Sequence, residues 1–436
     1  VVPLGLLAMA FPQLILFALP LAVPLAQRFT LGLGGLRLGP VEMLTAAALA
    51  AWLARGVARR RLEWSPGAVG WAVLAWLWVM GASLLSGLSL GAGLAEAAKW
   101  VEVLIILIVL PSVLPRNQVR YLIWAVAAAG ALSGLLGLYQ FITRSGPPGF
   151  ILLGRFMRAF GTFEQPNPYA AHLGLSLPFA LGWALAGPVA RWERWALLGA
   201  AGLMVLGILA SWSRGAWLGL GVSGVLMAAL LRPRLAAAGA VLLILTSPLW
   251  GENLAGSSLA QRALGMSGDV SGLNVAQVEP NDDNWSVVER LAHWQAAWYM
   301  FEEDPWLGVG AGNYEAVYPS FALPRWSDPL GHAHNYYLNV LAETGLVGLG
   351  AYLALGAAAW VSLVRIWRGG PGATAKALVL AAAGCLAYLT VHSVVDNLYV
   401  HGMQVLVGMA LVVPALARPA ADGASEPKRV LCRSGH

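Results

Sequence analysis

The chain has 436 residues, of which 58% are hydrophobic and only 11% charged. A water-soluble domain carries about a quarter charged residues, so this composition excludes a soluble enzyme and puts most of the chain in a lipid bilayer. The formal charge of +6 is spread over short loops, which gives no case for a nucleic-acid partner.

In a bilayer only helices or closed barrels satisfy the backbone polar groups. The long uncharged runs predict an all-α polytopic membrane protein of about twelve transmembrane helices, each needing ~20 apolar residues. They lie near 4–24, 39–56, 66–86, 91–112, 118–142, 168–187, 194–212, 214–231, 235–250, 335–364, 373–395 and 401–417. The first stretch lacks a basic start and a small-residue cleavage site, so no cleavable signal peptide is expected. Residues 1–418 are expected to form one transmembrane domain that includes a large loop, 251–334, with short helices. The polar tail 419–436 is expected to be disordered. Cys385 and Cys432 fall on sites that cannot meet, so no disulfide is expected.

Orientation follows from the basic residues. Arg55, Arg59, Arg60 and Arg61 follow the second span, Arg116 and Arg120 the fourth, Arg191 and Arg194 the sixth. Arg232 and Arg234 follow the eighth, and Arg365, Arg368 and Lys376 the tenth. All fall on one side, which the positive-inside rule makes cytoplasmic. The loops 143–167 and 251–334 then face the opposite, periplasmic or extracytoplasmic, side, and both termini the cytoplasm.

Within the fourth span, Lys99 is flanked by Glu96 and Glu102. A charge inside the bilayer costs ~2.5–3.5 kcal/mol, so Lys99 is expected to pair with Glu343 of the tenth span or to line a polar cavity. Glu343 lies ~13 Å below His334 at 1.5 Å per residue. On the periplasmic side, Arg214 sits in the tight turn Ser211-Trp212-Ser213-Arg214-Gly215. It reads either as a snorkelling anchor or as a phosphate clamp, because a planar guanidinium holds phosphate oxygens bidentately.

In the large loop, Asn281-Asp282-Asp283-Asn284 reads as a solvated acidic turn or a divalent-ion site. Leu291, Trp294, Trp298 and Phe301 recur at three- and four-residue intervals, predicting an amphipathic helix over 286–301 with an aromatic stripe suited to the membrane interface. Ser286 and Glu289 form a capping-box pattern. Arg290 would then lie in the first turns, where free N–H groups favour an anion; a solvated surface Arg is the plain alternative. Gly308-Val309-Gly310-Ala311-Gly312 is a turn able to approach a phosphate, but it lacks the Lys-Ser/Thr ending of a nucleotide loop.

His334-Asn335 closes the loop where the tenth span begins, followed by Gly345 and Gly348, which are expected to allow close helix contact. A His at a helix start is either a structural hydrogen-bonding group or a base titrating near neutrality. His332 suggests a metal, but His-x-His without a third ligand at helical spacing is weak. Asp396 and His401, in the last outer turn, are candidates to orient His334 or an acceptor.

Arg158-Ala159-Phe160-Gly161-Thr162-Phe163 with Gln165-Pro166-Asn167-Pro168, then Ser213-Arg214-Gly215, Arg290 with Trp294, Gly308-Val309-Gly310 and His334-Asn335 follow in order. This series resembles the O-antigen ligase and polymerase superfamily over roughly residues 150 to 400; the first 140 match only as generic spans. The resemblance implies a GT-C-like glycosyltransferase of the bacterial inner membrane, acting on the periplasmic face without cofactor or metal. Its donor would be an undecaprenyl-pyrophosphate-linked glycan and its acceptor lipid A-core. It implies His334 as catalytic base and Arg214 and Arg290 as pyrophosphate ligands; His332, Asn335, Arg158 and Asp396 are candidate supporting residues.

Those residue types suit the reaction. A base near neutrality takes the proton of an acceptor hydroxyl, and two fixed guanidiniums stabilise the departing pyrophosphate. Direct displacement would invert the anomeric centre. A lipid-linked-glycan polymerase and a protein O-oligosaccharyltransferase share the donor and differ in acceptor. A flippase would show paired broken helices in repeated halves, which the sequence lacks. The shape, elongation and division glycan polymerases would use an acidic base in an outer loop.

Overall fold

The computed structural model describes residues 11–33, 36–62, 64, 66–152, 154–234, 236–238 and 285–417. The span expected at 235–250, the acidic turn 281–284, Cys432 and the tail lie outside these residues or almost wholly so. In chain order come α1 (Pro12–Ala22), a hairpin of β1 (Leu31–Leu33) and β2 (Leu36–Leu38), α2 (Pro40–Ala58), α3 (Gly67–Ser83), α4 (Leu90–Val113) and α5 (Val119–Thr143). A second hairpin of β3 (Ile151–Leu152) and β4 (Phe156–Met157) leads to α6 (Pro166–Ala186), α7 (Arg191–Ala210) and α8 (Arg214–Leu231). Then follow α9 (Trp285–Glu303), α10 (Tyr314–Val317), α11 (Tyr336–Arg368), α12 (Ala373–His392), α13 (Gln404–Leu411) and α14 (Val413–Leu416).

Local chemistry sets the helix starts. Proline opens α1, α2 and α6, where its fixed φ suits the first turn and its missing N–H is no loss. Ser89 caps α4 by accepting from the Ala92 N–H at 3.3 Å, and Asn335 caps α11. Glu42 and Glu193 each reach back to the backbone N–H three residues earlier, at 2.9 Å.

Among the described residues, 8 helices are long and apolar enough to cross a membrane: α2, α3, α5 to α8, α11 and α12. The chain is therefore a multi-pass helical membrane protein, with fewer clear spans than the sequence count. Of the other expected spans, 235–250 lies almost wholly and 4–24 partly outside the described residues, α4 is 24 residues long but carries Glu96, Lys99 and Glu102, and Gln404–Leu416 is short.

α6 and α12 form the centre: 83% and 72% of their apolar windows are buried, against 22% for α8 and α11 at the periphery. α12 packs on both α6 and α8, α7 on α5 and α6, and α3 on α11. With lipid as solvent, packing and interhelical hydrogen bonds hold such a bundle. The Tyr388 hydroxyl donates to the Ala170 carbonyl at 3.0 Å, joining α12 to α6. The Ser223 hydroxyl donates to the Gly384 carbonyl at 2.8 Å, joining α8 to α12.

α11 is broken at Gly345, whose φ of 62° and ψ of −164° are not helical. Residues 305–310 run into the break and replace the lost helical bonds. Leu346 and Val347 N–H donate to the Pro305 and Trp306 carbonyls at 2.8 and 3.3 Å, and Val309 and Gly310 N–H donate to Ala342 and Glu343 at 3.0 Å each. A side chain at 345 would collide with the Trp306 backbone. The expected role of Gly345 in helix-on-helix contact is thus corrected: it admits a loop. A side chain at Gly348 would meet Thr344 of the same helix.

Candidate active site

One end of the bundle gathers the polar residues. The β3–β4 hairpin delivers Arg158, whose Nε donates to the Ser211 carbonyl at 2.9 Å and whose Nη2 donates to Asn167 Oδ1 at 3.0 Å. Next to it the Ala159 N–H donates to the Ala210 carbonyl at 2.9 Å. The loop before α6 is therefore tied to the α7–α8 turn. In that turn Trp212 takes a left-handed φ of 55°, its ring packed against Phe156 and Trp217 at 5.1 and 5.9 Å. Arg214 is the first residue of α8, half-buried, where the unpaired N–H groups and dipole of a helix start favour an anion. Gly215 abuts α12: an added Cβ would lie 2.7 Å from His392 Cδ2.

α9 carries the second arginine. The amphipathic helix expected over 286–301 forms over Trp285–Glu303. It begins at Trp285, and the capping side chain assigned to Ser286 lies outside the described side chains. The aromatic stripe divides: Trp298 is exposed, whereas Trp294 Nε1 donates to the His334 carbonyl at 3.4 Å. Arg290 is half-buried and within electrostatic reach of His392. Three residues on, His293 stacks on Tyr318 at 4.7 Å and sits edge-on to His334 at 5.7 Å. Its Nδ1 is 2.9 Å from the Tyr314 hydroxyl.

His334 is held from several directions. Its own φ is 52°, a left-handed conformation that costs an L-residue about 1–2 kcal/mol and persists only where the surroundings fix it. Its N–H donates to His332 Nδ1 at 3.1 Å. Asn335 Oδ1 accepts from the Tyr337 and Leu338 N–H groups at 3.0 and 3.1 Å, and Asn339 Oδ1 accepts from the Ala333 N–H at 3.0 Å. The Tyr336 N–H donates to the Ser393 carbonyl at 2.8 Å, fastening the start of α11 to the end of α12. Asp396 lies in that same turn, and its Oδ1 is 3.6 Å from His334 Nδ1, the two side chains 10% and 18% exposed.

Burial would raise the Asp396 carboxyl, but its interaction with His334, then with His332 and His392, holds it well below the usual carboxylate range. It is ionised at neutral pH. Burial, and next the neighbouring His334, hold His332 down to about 3 and His293 down to about 4, so both are neutral there. The cluster thus has one fixed anion facing His334.

His332, His334 and Asp396 each offer a ligand atom, all within 4.8 Å of one another, so Asp396 supplies the third group that helical spacing did not. The geometry fits a metal poorly. His332 Nδ1 already accepts the His334 N–H, which leaves the ring proton on Nε2 and neither nitrogen with a lone pair to give.

Two other sequence expectations change. The glycine turn is no phosphate cradle, because its N–H groups are already taken: Gly308, Val309 and Gly310 donate to the Asp304, Ala342 and Glu343 carbonyls, Ala311 to Ser83 Oγ and Gly312 to Glu343 Oε2 at 3.0 Å, while Glu343 Oε1 accepts from the Tyr314 N–H at 3.0 Å. Lys99 pairs with Glu96 at 2.6 Å and not with Glu343, whose carboxylate is taken by that backbone. The residues that sequence reasoning passed over are His293, His392, Asn339 and Ser211. His293 had a usable signal, since it follows Arg290 by three residues on one helical face.

The fold and this cluster define a multi-pass helical membrane protein with a His–Asp cluster at one end of its bundle. Residues 199–353 match the family model described as O-antigen ligase, which supports the chain's place in the O-antigen ligase superfamily. The matched segment holds Arg214, Arg290, His332, His334 and Asn335; Arg158, Asp396 and α1 to α6 lie outside it. Among curated proteins, none matches the chain.

Proposed function

We propose that the chain is an O-antigen ligase. In this reading it transfers a glycan from undecaprenyl pyrophosphate to a sugar hydroxyl of lipid A-core, on the periplasmic face of the inner membrane, with a GT-C-like fold. The observation that carries the reading is the approach of His334 to Asp396 at 3.6 Å, with Gly215 against His392 and Arg290 acting on the same residue. In this reading the base and both arginines serve one site at the turn after α12.

Ionised Asp396 favours a proton on His334 Nδ1, which leaves Nε2 as the acceptor, the tautomer logic of an orienting carboxylate. The acceptor hydroxyl oxygen attacks the anomeric carbon and its proton passes to His334 Nε2. The bond from that carbon to the pyrophosphate oxygen breaks, and the electron pair leaves with undecaprenyl pyrophosphate. Arg214 and Arg290 stabilise the charge that develops there, in a site removed from bulk water. Attack opposite the leaving group inverts the anomeric centre. The arginines supply the positive charge, so the reading needs no metal. Arg158 positions Arg214 by holding the α7–α8 turn; Asn335 and His332 set the His334 backbone.

The test is transfer in vitro from a defined undecaprenyl-pyrophosphate glycan, offered separately to lipid A-core, a second lipid-linked glycan and a pilin-like peptide. Product on lipid A-core alone supports a ligase. Product on the lipid-linked glycan makes the chain a polymerase, and product on the peptide a protein O-oligosaccharyltransferase. Glycan translocation that survives His334→Ala, with no transfer to any acceptor, would make it a flippase.

A further inference from the structure

We propose that the end of the bundle opposite His334 carries a site for one anionic phospholipid. Its phosphate is held by Arg116, Asn117 and Thr374, and the glycerol end of its chains lies against Ile366, Leu378 and Leu416. The proposal is independent of the glycosyl-transfer reading. α11 starts and α12 ends beside the His334–Asp396 pair, whereas this site lies where α11 ends and α12 starts; the 20 residues of α12 put ~30 Å between the two at 1.5 Å per residue.

A cavity of about 730 Å³ opens there, within the ~300–1,000 Å³ range of small-molecule sites. It is walled by residues 116–119 at the start of α5, the last turn of α11, the turn 369–372, the first turns of α12 and the end of α14. Its two surfaces differ in kind. Arg116, Asn117 and Thr374 supply polar groups, and Ile366, Leu378 and Leu416 an aliphatic wall. The glycine turn itself gives no donors. The Gly369 and Gly370 N–H groups close α11 on the Arg365, Ile366 and Trp367 carbonyls at 3.1, 3.1 and 3.4 Å, and Pro371 has no N–H. Beyond it, Gly372 opens α12 without a side-chain cap, so Thr374 and Ala375 at the cavity add first-turn N–H groups that have no acceptor within the helix.

Charge selects an anion. No Asp or Glu occurs in residues 103–163, 344–395 or 397–417, which together supply every lining residue. Arg116, Arg365, Arg368 and Lys376 all belong to those stretches at this end of the bundle. Glu193 lies at the same end, but its carboxylate accepts from the Ala190 N–H at 2.9 Å, at the start of α7. The positive-inside rule accounts for the sign of this end; it does not account for a cavity. A guanidinium on the rim of one can hold two phosphate oxygens at once.

The aliphatic wall selects a lipid. A soluble phosphate gains nothing from Ile366, Leu378 and Leu416, whereas the first methylenes of an acyl chain gain by burial there. The position fits as well, because the ends of spanning helices lie at headgroup depth, where basic pockets between helices bind anionic headgroups.

Native mass spectrometry of the full-length protein tests this, with equal amounts of palmitoyl-oleoyl phosphatidylglycerol and palmitoyl-oleoyl phosphatidylcholine, which share their chains. The wild type should retain one phosphatidylglycerol about fivefold or more over phosphatidylcholine, the worth of one basic side chain at a charged membrane surface. Arg116→Gln should abolish most of that preference. Arg120→Gln, which removes the same charge from an exposed position outside the cavity, should keep it. Ala375→Leu narrows the cavity at unchanged charge and should also lose it, so it decides the matter if Arg116→Gln does not fold. Equal retention of the two lipids, equal loss in the two arginine variants, or full retention in Ala375→Leu overturns the site. Displacement of the bound lipid by excess inorganic phosphate overturns the lipid assignment. None of these readouts depends on transfer, so failure of the ligase reading leaves them intact.

Discussion

His334 Nδ1 stands 3.6 Å from Asp396 Oδ1, although one residue precedes α11 and the other follows α12. The backbone bond from Tyr336 to Ser393 makes this approach a property of the fold. His334→Ala should lower transfer by ~10²–10⁴, the usual worth of a general base, while donor binding is retained. Asp396→Asn keeps the shape but removes the anion that sets the tautomer, and should cost roughly 10²-fold or more in turnover. Both follow from steady-state transfer with donor binding measured separately. Loss of donor binding in His334→Ala would assign the imidazole a structural role.

The arginines should separate by readout. Arg214→Lys and Arg290→Lys keep charge but lose the bidentate fork, so each should retain more transfer than the alanine variant and less than wild type. Arg158 acts at one remove. Its bonds to Ser211 and Asn167 hold the turn that launches Arg214, so Arg158→Met should raise the donor half-saturation without changing the pH profile of turnover. A changed pH profile would place Arg158 in contact with the reacting groups.

The spans and the matched family were legible because they are written in runs and local order: apolar stretches of helical length, and motifs each within a few residues. Arg214, Arg290 and His334 stand as candidates for the same reason. What the sequence hid was long-range. The insertion of 305–310 into α11 depends on pairing Pro305 with Leu346, which no periodicity records. The Gly308–Gly312 turn has the composition of an anion loop, yet its N–H groups are consumed by distant acceptors: the Ala342 and Glu343 carbonyls, Ser83 Oγ and the Glu343 carboxylate. Lys99 had two nearby acidic residues and one distant one, and spacing alone did not decide among them; the i,i+3 geometry with Glu96 did.

Gly345→Ala tests the inserted loop. A φ of 62° with a ψ of −164° is essentially a glycine-only conformation that costs an L-residue about 1–3 kcal/mol, and the new methyl would also meet the Trp306 backbone. The variant should melt several degrees below wild type and lose transfer, because the same break positions Tyr336–Thr344 and hence His334. Gly350→Ala, with open space around its Cβ, is the control and should be neutral. Equal melting of the two would show that the break is not needed.

The state of His332 makes a prediction about metals. With Nδ1 committed to the His334 N–H, chelator should leave transfer within about twofold, a deliberately narrow band beside the ~10²-fold or larger effects of losing a catalytic group. Strong inhibition by chelator, restored by a stoichiometric divalent ion, would mean that the ring turns over and His332, His334 and Asp396 hold a metal in solution.

Acid should destabilise the fold through its buried imidazoles. Burial foremost holds His293 to about 4, His332 to about 3 and His401 to about 4, against 6.5 for the free side chain. Between those values the unfolded chain binds protons that the folded form refuses, so the stability these groups confer is whole above pH 6.5 and is lost as pH falls towards 4. Asp396, held below its unfolded value of 3.8, acts with the same sign further down, because its contribution is present above that value and is lost as pH drops through the folded one. The melting midpoint in detergent should therefore fall by roughly 4 °C or more between pH 7 and pH 5. The double variant His293→Gln/His332→Gln should flatten that slope, with a lower midpoint at pH 7 from lost packing against Tyr318. A slope equal to wild type would mean that these rings are not the groups being protonated.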